Sequence, residues 1–368
     1  MDLLVGSVRD YDWGSSTAIA ELQGRPPSGR PEAELWLGAH PTAPALVGAD
    51  ETPLDDLIAA DPRAALGKDA ADRFGGLPFL FKVLAADTNL SLQAHPSAAQ
   101  AEAGFAREEA AGVARDAPER MFPDPHHKPE LICALTRFEA LCGFREVGAT
   151  LDLLAGFAAP ALDPMCARLA AGPPAEALAT TLEWLLGLAA EDAVPLVDAI
   201  ARSTEHEAPT RWRGEWAMVR RLAADHPHEP GVVTALLLNH LVLEPGEALF
   251  LGAGNLHAYL GGTAVELMAN SDNVVRAGLT PKHVDVATLL DLVDTAPGAP
   301  EVLRPPLRDG VAVYDTPVPE FALWRIELDG VRPVPVTGPA IVLCVDGEAE
   351  VRTDAGTPAV RLDRGAAG

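Results

Sequence analysis

The chain carries four pairs of residues whose side chains could bind a metal or take part in catalysis. The two members of each pair are two positions apart, in segments typical of β-strands. The pairs are Gln93 with His95, Lys128 with Glu130, His257 with Tyr259, and Glu266 with Met268. Alternate residues of a strand project from the same face, so each pair presents both side chains to one side of a sheet. If these strands belong to one barrel, the pairs can meet in its interior.

Two histidines and a carboxylate from different strands make an open catalytic metal site, in which water or substrate takes the remaining position. His95, His257 and Glu130 supply that set. A neutral amide oxygen is an unusual zinc ligand, so residue type alone does not assign Gln93 to the metal. Taken singly, His95 or His257 is read more simply as a structural histidine. Only the grouping favours a metal site, and spacing alone does not prove that the residues converge.

Lysine is rare and occurs only as Lys68, Lys82, Lys128 and Lys282, so arginine supplies most of the 28 basic residues. A retained lysine is therefore a candidate for a position that needs a compact ammonium group. Lys82 lies in an apolar stretch and Lys128 precedes Pro129 and Glu130. The alternative is chance retention, or a side chain that extends its charged end to water.

The surrounding sequence predicts the helices and strands that position these residues. Residues 30–145 favour short strands, for example at 34–38, 77–84 and 90–95, with a helix over about 97–114. Residues 146–228 change to helical periodicity, with one apolar face formed by Leu178, Leu182, Leu185, Leu186 and Ala189. Trp212, Trp216 and Val219 repeat that spacing and are read as packing residues.

A sequence pattern typical of strands begins again at Val232, and it predicts a hairpin across the Pro-Gly turn of residues 241–250. A second hairpin is predicted over 341–351, across Asp346 and Gly347. The order predicts a mainly β chain in which a helical insert interrupts a β-barrel, followed by a second, smaller C-terminal barrel that could lack its closing strands. Strand spacing does not by itself distinguish a barrel from a sandwich.

Composition excludes several classes of protein. The 368 residues carry a formal net charge of −25, which argues against a nucleic-acid-binding protein. The chain has neither an apolar run of about 18 residues nor a basic and apolar N-terminal signal. Its four cysteines form no Cys-x-x-Cys pair, so we expect reduced thiols, a cytoplasmic location and no membrane partner. A monomer is the default expectation.

Six segments together resemble type I mannose-6-phosphate isomerases, the phosphomannose isomerase family, in family order over nearly the whole chain. They are Tyr-Asp-Trp-Gly-Ser at 11–15, Ala-Glu-Leu-Trp-Leu-Gly at 33–38, Leu-Ser-Leu-Gln-Ala-His-Pro at 90–96, His-Lys-Pro-Glu at 127–130, Asn-Leu-His-Ala-Tyr-Leu at 255–260, and the run from Glu266 to Lys282 that contains Ser-Asp-Asn-Val-Val-Arg.

The resemblance implies a zinc enzyme of cupin fold that interconverts mannose 6-phosphate and fructose 6-phosphate, with one Zn²⁺ per chain. The implied metal ligands are Gln93, His95, Glu130 and His257. Arg276 is the implied active-site residue, and the implied cavity lining is Lys82, Ser91, Lys128, Tyr259, Glu266 and Asp272. The implied domains are a cupin barrel from residues 1–145 and 229–300, a helical domain at 146–228, and a cupin-like domain at 301–368.

This chemistry moves a carbonyl between C1 and C2 through a cis-enediol, so a base must carry a proton between the two carbons. Arg276 stays protonated, so we assign it to stabilising negative charge on oxygen. For the base, the family motif favours His127 beside Lys128, whereas strand alternation favours His126. Glu266 and Asp272 are further alternatives.

Two other functions compete with this one. The first is an isomerase of the same construction that acts on a different phosphorylated sugar. The second is a non-catalytic protein that binds a sugar phosphate as a sensor. The presence of Lys128, Glu130, Asp272 and Arg276 argues against the sensor, because simple binding has less need of them.

Overall fold

The computed structural model describes residues 1–353 and 358–368. Its strands are β1 (Leu4–Val5), β2 (Ser7–Arg9), β3 (Glu34–Leu37), β4 (Leu46–Val47), β5 (Thr52–Pro53), β6 (Phe79–Ala86), β7 (Leu92–Ala94), β8 (Glu130–Ala134), β9 (Phe138–Phe144), β10 (Leu238–Leu243), β11 (Ala248–Leu251), β12 (His257–Ala269), β13 (Val275–Gly278), β14 (Val302–Leu303), β15 (Val311–Tyr314), β16 (Leu323–Ile326), β17 (Glu348–Val351) and β18 (Val360–Asp363).

The helices are α1 (Ala18–Leu22), α2 (Leu54–Ala60), α3 (Pro62–Leu66), α4 (Lys68–Phe74), α5 (Ala98–Ala110), α6 (Val147–Gly156), α7 (Asp163–Leu169), α8 (Pro174–Leu186), α9 (Ala190–Ser203), α10 (Arg213–Asp225), α11 (Gly231–Thr234) and α12 (Val286–Leu292). Short 3-10 turns cover Pro160–Leu162, Thr210–Trp212 and Ala235–Leu237.

The long strand β12 organises the large sheet. Its second part, from Gly262 onward, lies between β6 and β8, and its first part pairs with β7 and β9. One half of the sheet therefore runs β14-β11-β8-β12-β6-β3-β2, and the other half adds β10, β9, β7 and β13. Gly262 makes the change of partners possible, because its φ is +112° and a Cβ there would lie 2.5 Å from the Arg137 carbonyl oxygen.

Apolar residues fill the space between the two halves and cover both outer faces. Leu84, Ile132, Phe138 and Tyr259 belong to the inner cluster. Helices α6–α10 cover the outer face of the half that contains β7, β9 and β13, and the segment with Tyr314 helps to cover the other half.

The helical module matches the sequence prediction closely. In α8, Leu178, Leu182 and Leu185 are buried, whereas Ala189 is exposed just before α9. Trp212, Trp216 and Val219 are buried as predicted, and Trp216 stacks on Phe157 with ring centroids 3.9 Å apart. The helix expected at 97–114 forms as α5, which begins with a capping box between Ser97 and Gln100.

Three local predictions before residue 300 are wrong. Residues 54–74 form α2, α3 and α4 rather than strands. The run from Val232 continues as helix and 3-10 turn, and the strand begins only at Leu238, because a short buried apolar run has no periodicity that separates the two states. No hairpin joins β10 to β11, since β10 pairs with β9 while β11 pairs with β8 and β14. The Pro-Gly turn reverses the direction of the chain, but it does not determine which strand pairs with β11.

The C-terminal hairpin prediction is also wrong. Glu348–Val351 pairs with Val360–Asp363, and Leu343 makes only an isolated bridge, to Ala367. Of the strands within residues 301–353 and 358–368, β14 joins the large sheet through β11, and the other four form two separate two-stranded ladders, β15-β16 and β17-β18. A C-terminal barrel is therefore not confirmed. Turn residues such as Asp346 and Gly347 mark a reversal, but the pairing depends on longer-range contacts.

The expectation of a mainly β chain is too narrow, because more of the described residues lie in helices than in strands. The architecture is one large sheet with helices on it. Among the described residues, no helix combines the length and the apolar character needed to cross a membrane.

Candidate metal centre and the surrounding site

Three buried metal-binding side chains converge from three strands. His95 follows β7, Glu130 begins β8 and His257 begins β12. The His95 Nε2 atom lies 3.3 Å from Glu130 Oε1, and the His257 Nε2 atom lies 3.6 Å from Glu130 Oε2. The ligand atoms of the three residues all lie within 4.8 Å of one another, which suits a single small cation.

Backbone carbonyls fix the tautomer of both histidines. His95 Nδ1 lies 2.8 Å from the carbonyl oxygen of Asn273, and His257 Nδ1 lies 3.0 Å from that of Asn255. A carbonyl oxygen only accepts, so each Nδ1 carries the proton and each Nε2 has a free lone pair. The Nε2 atom of His95 is buried and has no hydrogen-bond partner in the described part of the chain. This arrangement orients imidazoles for a metal.

The charge states of the three residues also suit a metal. Burial lowers the pKa of both imidazoles, that of His257 to about 4, so both are neutral at pH 7. Burial opposes ionisation of Glu130, but Lys128 and the two histidines hold its pKa well below the usual range. Two neutral imidazoles and one carboxylate are the protonation states a divalent cation requires.

Gln93 lies beside this group. In the strand ladders it stands opposite His257 on one side and Arg276 on the other. Its side-chain amide is 3.5 Å from His257 Nε2, and the Ser91 hydroxyl donates to its Oε1 at 3.4 Å. Tyr259 and Lys128 reach the same carboxylate from other directions, with the Tyr259 hydroxyl 3.4 Å from Glu130 Oε2 and Lys128 Nζ 3.2 Å from Glu130 Oε1.

Known proteins match this chain over nearly its whole length. The family model "Phosphomannose isomerase type I, catalytic domain" matches residues 2–147. The mannose-6-phosphate isomerase of Escherichia coli (strain K12) is 42% identical, over 95% of this chain and 90% of its own. The chain belongs to the type I phosphomannose isomerase family.

More distant members and a solved structure agree with the assignment to phosphomannose isomerases. The mannose-6-phosphate isomerase of Bos taurus is 33% identical over 97% of this chain and 90% of its own. A zinc-bound crystal structure of mannose 6-phosphate isomerase has a TM-score of 0.92 and 38% sequence identity, and the match covers 100% of this chain and 93% of that one. The family's large sheet with helices is thus the fold of this chain.

A second buried cluster in this chain is built around Lys82. Its Nζ lies 3.0 Å from Glu266 Oε2, 3.6 Å from Glu34 Oε1 and 5.4 Å from the centre of the Trp36 ring. The three strands β3, β6 and β12 place Trp36, Lys82 and Glu266 in one cross-strand row. Burial disfavours the charge on Lys82, but the surrounding carboxylates raise its pKa overall.

Glu266 and Tyr259 differ from ordinary surface groups of their type. Burial raises the pKa of Glu266, although Lys82 opposes the shift. Burial, with Glu266 and Glu130 nearby, raises the pKa of Tyr259 well above its usual range. Tyr259 is therefore a neutral hydrogen-bond donor, and Glu266 is a carboxyl group that takes up a proton more readily than a solvated one.

Two cationic side chains belong to β13 and the segment after it: Arg276 lies in the strand and Lys282 follows it. Burial lowers the pKa of Arg276, and burial together with Arg276 lowers that of Lys282. Neither side chain forms an ion pair with a carboxylate among the described residues. The turn that follows Arg276 is held by Glu229, whose Oε2 accepts from the backbone N–H of Leu279 at 3.0 Å, where the φ of Leu279 is +54°.

Asp272 and His127 lie differently from the other expected residues. Asp272 is half exposed and its Oδ2 lies 3.3 Å from His40 Nε2. The His127 imidazole is bound to Glu320, with 2.9 Å between Nε2 and Oε1, rather than to the metal donors. His126 is exposed, and its carbonyl oxygen accepts from Ser271 and Asn273.

Sequence reasoning did not single out Glu34, Trp36 or His40. Glu34 and Trp36 are two positions apart in a predicted strand, so their shared face was a usable signal. Lys282 had a signal too, because it is one of only four lysines. His40 lies in the turn after β3 and had no spacing pattern that connects it to a distant aspartate.

Proposed function

We propose that this protein is a zinc-dependent isomerase that interconverts mannose 6-phosphate and fructose 6-phosphate. The observation that carries the proposal is the buried group of His95, Glu130 and His257, with both Nε2 lone pairs directed at one carboxylate. Family membership supports the choice of sugar phosphate, and the zinc-bound relative supports the choice of metal.

Zinc fits the donor set, because the unpartnered, buried Nε2 of His95 needs a ligand to compensate its loss of water. We propose that Gln93, His95, Glu130 and His257 hold one Zn²⁺ per chain. When bound, Zn²⁺ supplies a Lewis acid that polarises the sugar carbonyl and stabilises negative charge on its oxygens.

The side chains around the metal ligands would stabilise negative charge and transfer the proton. Lys128 and Arg276 remain cationic donors, so they stabilise negative charge on substrate oxygens. We assign the proton transfer between C1 and C2 to Glu266, because burial raises its pKa toward the working pH of a general base. His126, His127 and Asp272 are the alternative bases, and pH–rate profiles of single variants separate them.

The phosphate group would bind Arg276 and Lys282, with Ser91 and Tyr259 contacting the sugar. These two cations have no carboxylate partner among the described residues, and repulsion between them favours an anion as their neighbour. A local positive pair is needed, since the net charge of −25 repels a phosphate at long range. Lys82 is less suited, because Glu266 and Glu34 already neutralise it.

We also propose how the chain is divided. The two halves of the large sheet would form a cupin-type barrel from residues 1–145 and 229–300, interrupted by a helical domain at 146–228. Helices α6–α10 lie within that insert, which supports the division. Residues 301–368 would form a smaller domain, and the protein would act as a cytoplasmic monomer that binds no nucleic acid.

A coupled assay of mannose 6-phosphate conversion to fructose 6-phosphate tests the function. We expect turnover that disappears with a chelator and returns with zinc, and no comparable turnover of glucose 6-phosphate. If the zinc-loaded protein converts a different sugar phosphate instead, that compound is the substrate and the assignment of mannose 6-phosphate is wrong. Zinc-loaded protein that binds mannose 6-phosphate without turnover would instead indicate a sensor.

A further inference from the structure

His40 is a buried histidine outside the metal donors. Only 4% of its surface is exposed, and it lies in the turn after β3, where its carbonyl oxygen accepts from the Ala43 N–H at 3.0 Å. Its ring packs edge-on against Trp36, with centroids 4.8 Å apart. Backbone turn and aromatic contact together leave the imidazole little freedom to rotate.

The neighbours of His40 decide which nitrogen carries the proton. Its Nδ1 lies 2.9 Å from the Thr42 hydroxyl, and the Thr42 backbone N–H points at the same Nδ1 from 3.4 Å. A backbone N–H can only donate, so Nδ1 accepts and the proton of a neutral ring is on Nε2. That Nε2–H group faces Asp272 Oδ2 at 3.3 Å.

Among the described residues, side-chain contact with Asp272 reaches one carboxylate oxygen, Oδ2, and comes from His40. The backbone N–H of Asp272 donates to Asp124 Oδ2 at 2.8 Å, which fixes the main chain, and its side chain is half exposed. The other carboxylate oxygen is thus left for a ligand. The hydrogen bond from His40 is the main cause of the lowered pKa of Asp272, with Lys128 and Lys82 contributing through their charge.

We propose that His40 is a positioning residue for the isomerase reaction: through its Nε2–H it fixes the rotamer of Asp272, so that the free carboxylate oxygen accepts from a substrate hydroxyl. The inference rests on the proposed function, because it gives Asp272 a substrate to meet. His40 itself touches no metal donor in the described structure. Its effect should pass entirely through Asp272.

The test is a double-mutant cycle of His40→Ala and Asp272→Asn in the full-length, zinc-loaded protein. We expect His40→Ala to lower kcat/KM by about tenfold or more, the range for a lost hydrogen bond to a charged group. In the Asp272→Asn background the same change should have little further effect. His40→Gln, whose amide nitrogen can occupy the Nε2 position, should restore most of the activity.

A measurement independent of turnover completes the test. The carboxyl ¹³C signal of Asp272, assigned with Asp272→Asn, should titrate at higher pH in His40→Ala than in the wild type. The facing groups Lys128, Lys82 and Asp124 are unchanged in both proteins. Absence of turnover in the wild type would remove the proposed function. Wild-type turnover with additive effects of the two substitutions, or an unchanged Asp272 titration, would overturn the role of His40.

Discussion

The His95 imidazole and the Glu130 carboxylate lie 3.3 Å apart, with the imidazole Nε2 buried and free of any proton. A neutral nitrogen lone pair facing a carboxylate oxygen is repulsive unless a cation lies between them. Burial strengthens the repulsion, because each residue is at most 2% exposed and bulk water screens neither of them. The pair is therefore arranged for a metal that binds both.

Glu130→Gln should weaken zinc binding by about tenfold or more, because it removes the anionic ligand and leaves Lys128 Nζ without its carboxylate at 3.2 Å. Zinc affinity measured by competition with a chromophoric chelator checks this. Glu244→Gln is the matched control, since Glu244 is exposed. Equal zinc affinity in the two variants would remove Glu130 from the metal site.

Lys82→Met should cost about 3–5 kcal/mol of unfolding free energy, because it leaves the buried carboxylates Glu34 and Glu266 without their counter-charge. Urea unfolding at constant zinc measures the change. The control is Lys68→Met, whose exposed ion pair with Asp72 is worth about 0–1 kcal/mol. If both variants lose the same small amount, Lys82 is not the centre of a buried charge cluster.

Lys282→Met should raise KM for mannose 6-phosphate by about tenfold, with a smaller change in kcat, if Lys282 binds the phosphate in ground and transition state alike. The same change should weaken competitive inhibition by inorganic phosphate. Lys68→Met again serves as the control. A normal KM together with normal phosphate inhibition would show that the phosphate lies elsewhere.

The acid stability of the protein should depend on Glu139, which joins β9 to the helical module. Its carboxylate contacts His240 at 2.6 Å and Arg221 at 2.9 Å. Burial opposes ionisation, but these two partners lower the pKa of Glu139 overall. A lowered pKa gives stability that is present above the unfolded-state value, about 4.3, and is lost as the pH falls through the folded-state value.

Glu139→Gln should therefore lower the unfolding free energy at pH 7 by about 1–3 kcal/mol and should flatten its decrease below about pH 5. Urea unfolding at a series of pH values measures both. Glu244→Gln should stay within about 0.5 kcal/mol of the wild type. A variant whose acid limb is as steep as that of the wild type would exclude Glu139 as a source of the pH dependence.

The strand pairs show what alternation can predict. Gln93, Lys128 and His257 sit where two-residue spacing places them, because side-chain direction in a strand is a local property. Alternation failed at His126, which it places on the face of Lys128 and Glu130 but which is exposed, because Pro123, Pro125 and Pro129 interrupt regular strand geometry. A pattern is reliable only where the backbone it assumes is regular.

Local sequence patterns did not predict which distant segments pair with each other. The turn at Gly246 looks like a hairpin turn, yet its N–H donates to the Ala134 carbonyl oxygen and the chain joins another ladder. His40 meets Asp272 only because the turn after β3 and the loop before β13 lie at the same end of the sheet. Such contacts depend on how the whole sheet closes, and a short stretch of sequence carries no information about that.

Zinc titration of the metal-free protein, followed by initial rates with mannose 6-phosphate, tests the central claim most directly. We predict that turnover rises linearly with added zinc and reaches its plateau at one equivalent per chain. We also predict that the rise is lost in His257→Ala, although circular dichroism shows that variant to be folded. Full turnover in protein shown by metal analysis to be zinc-free would contradict the account.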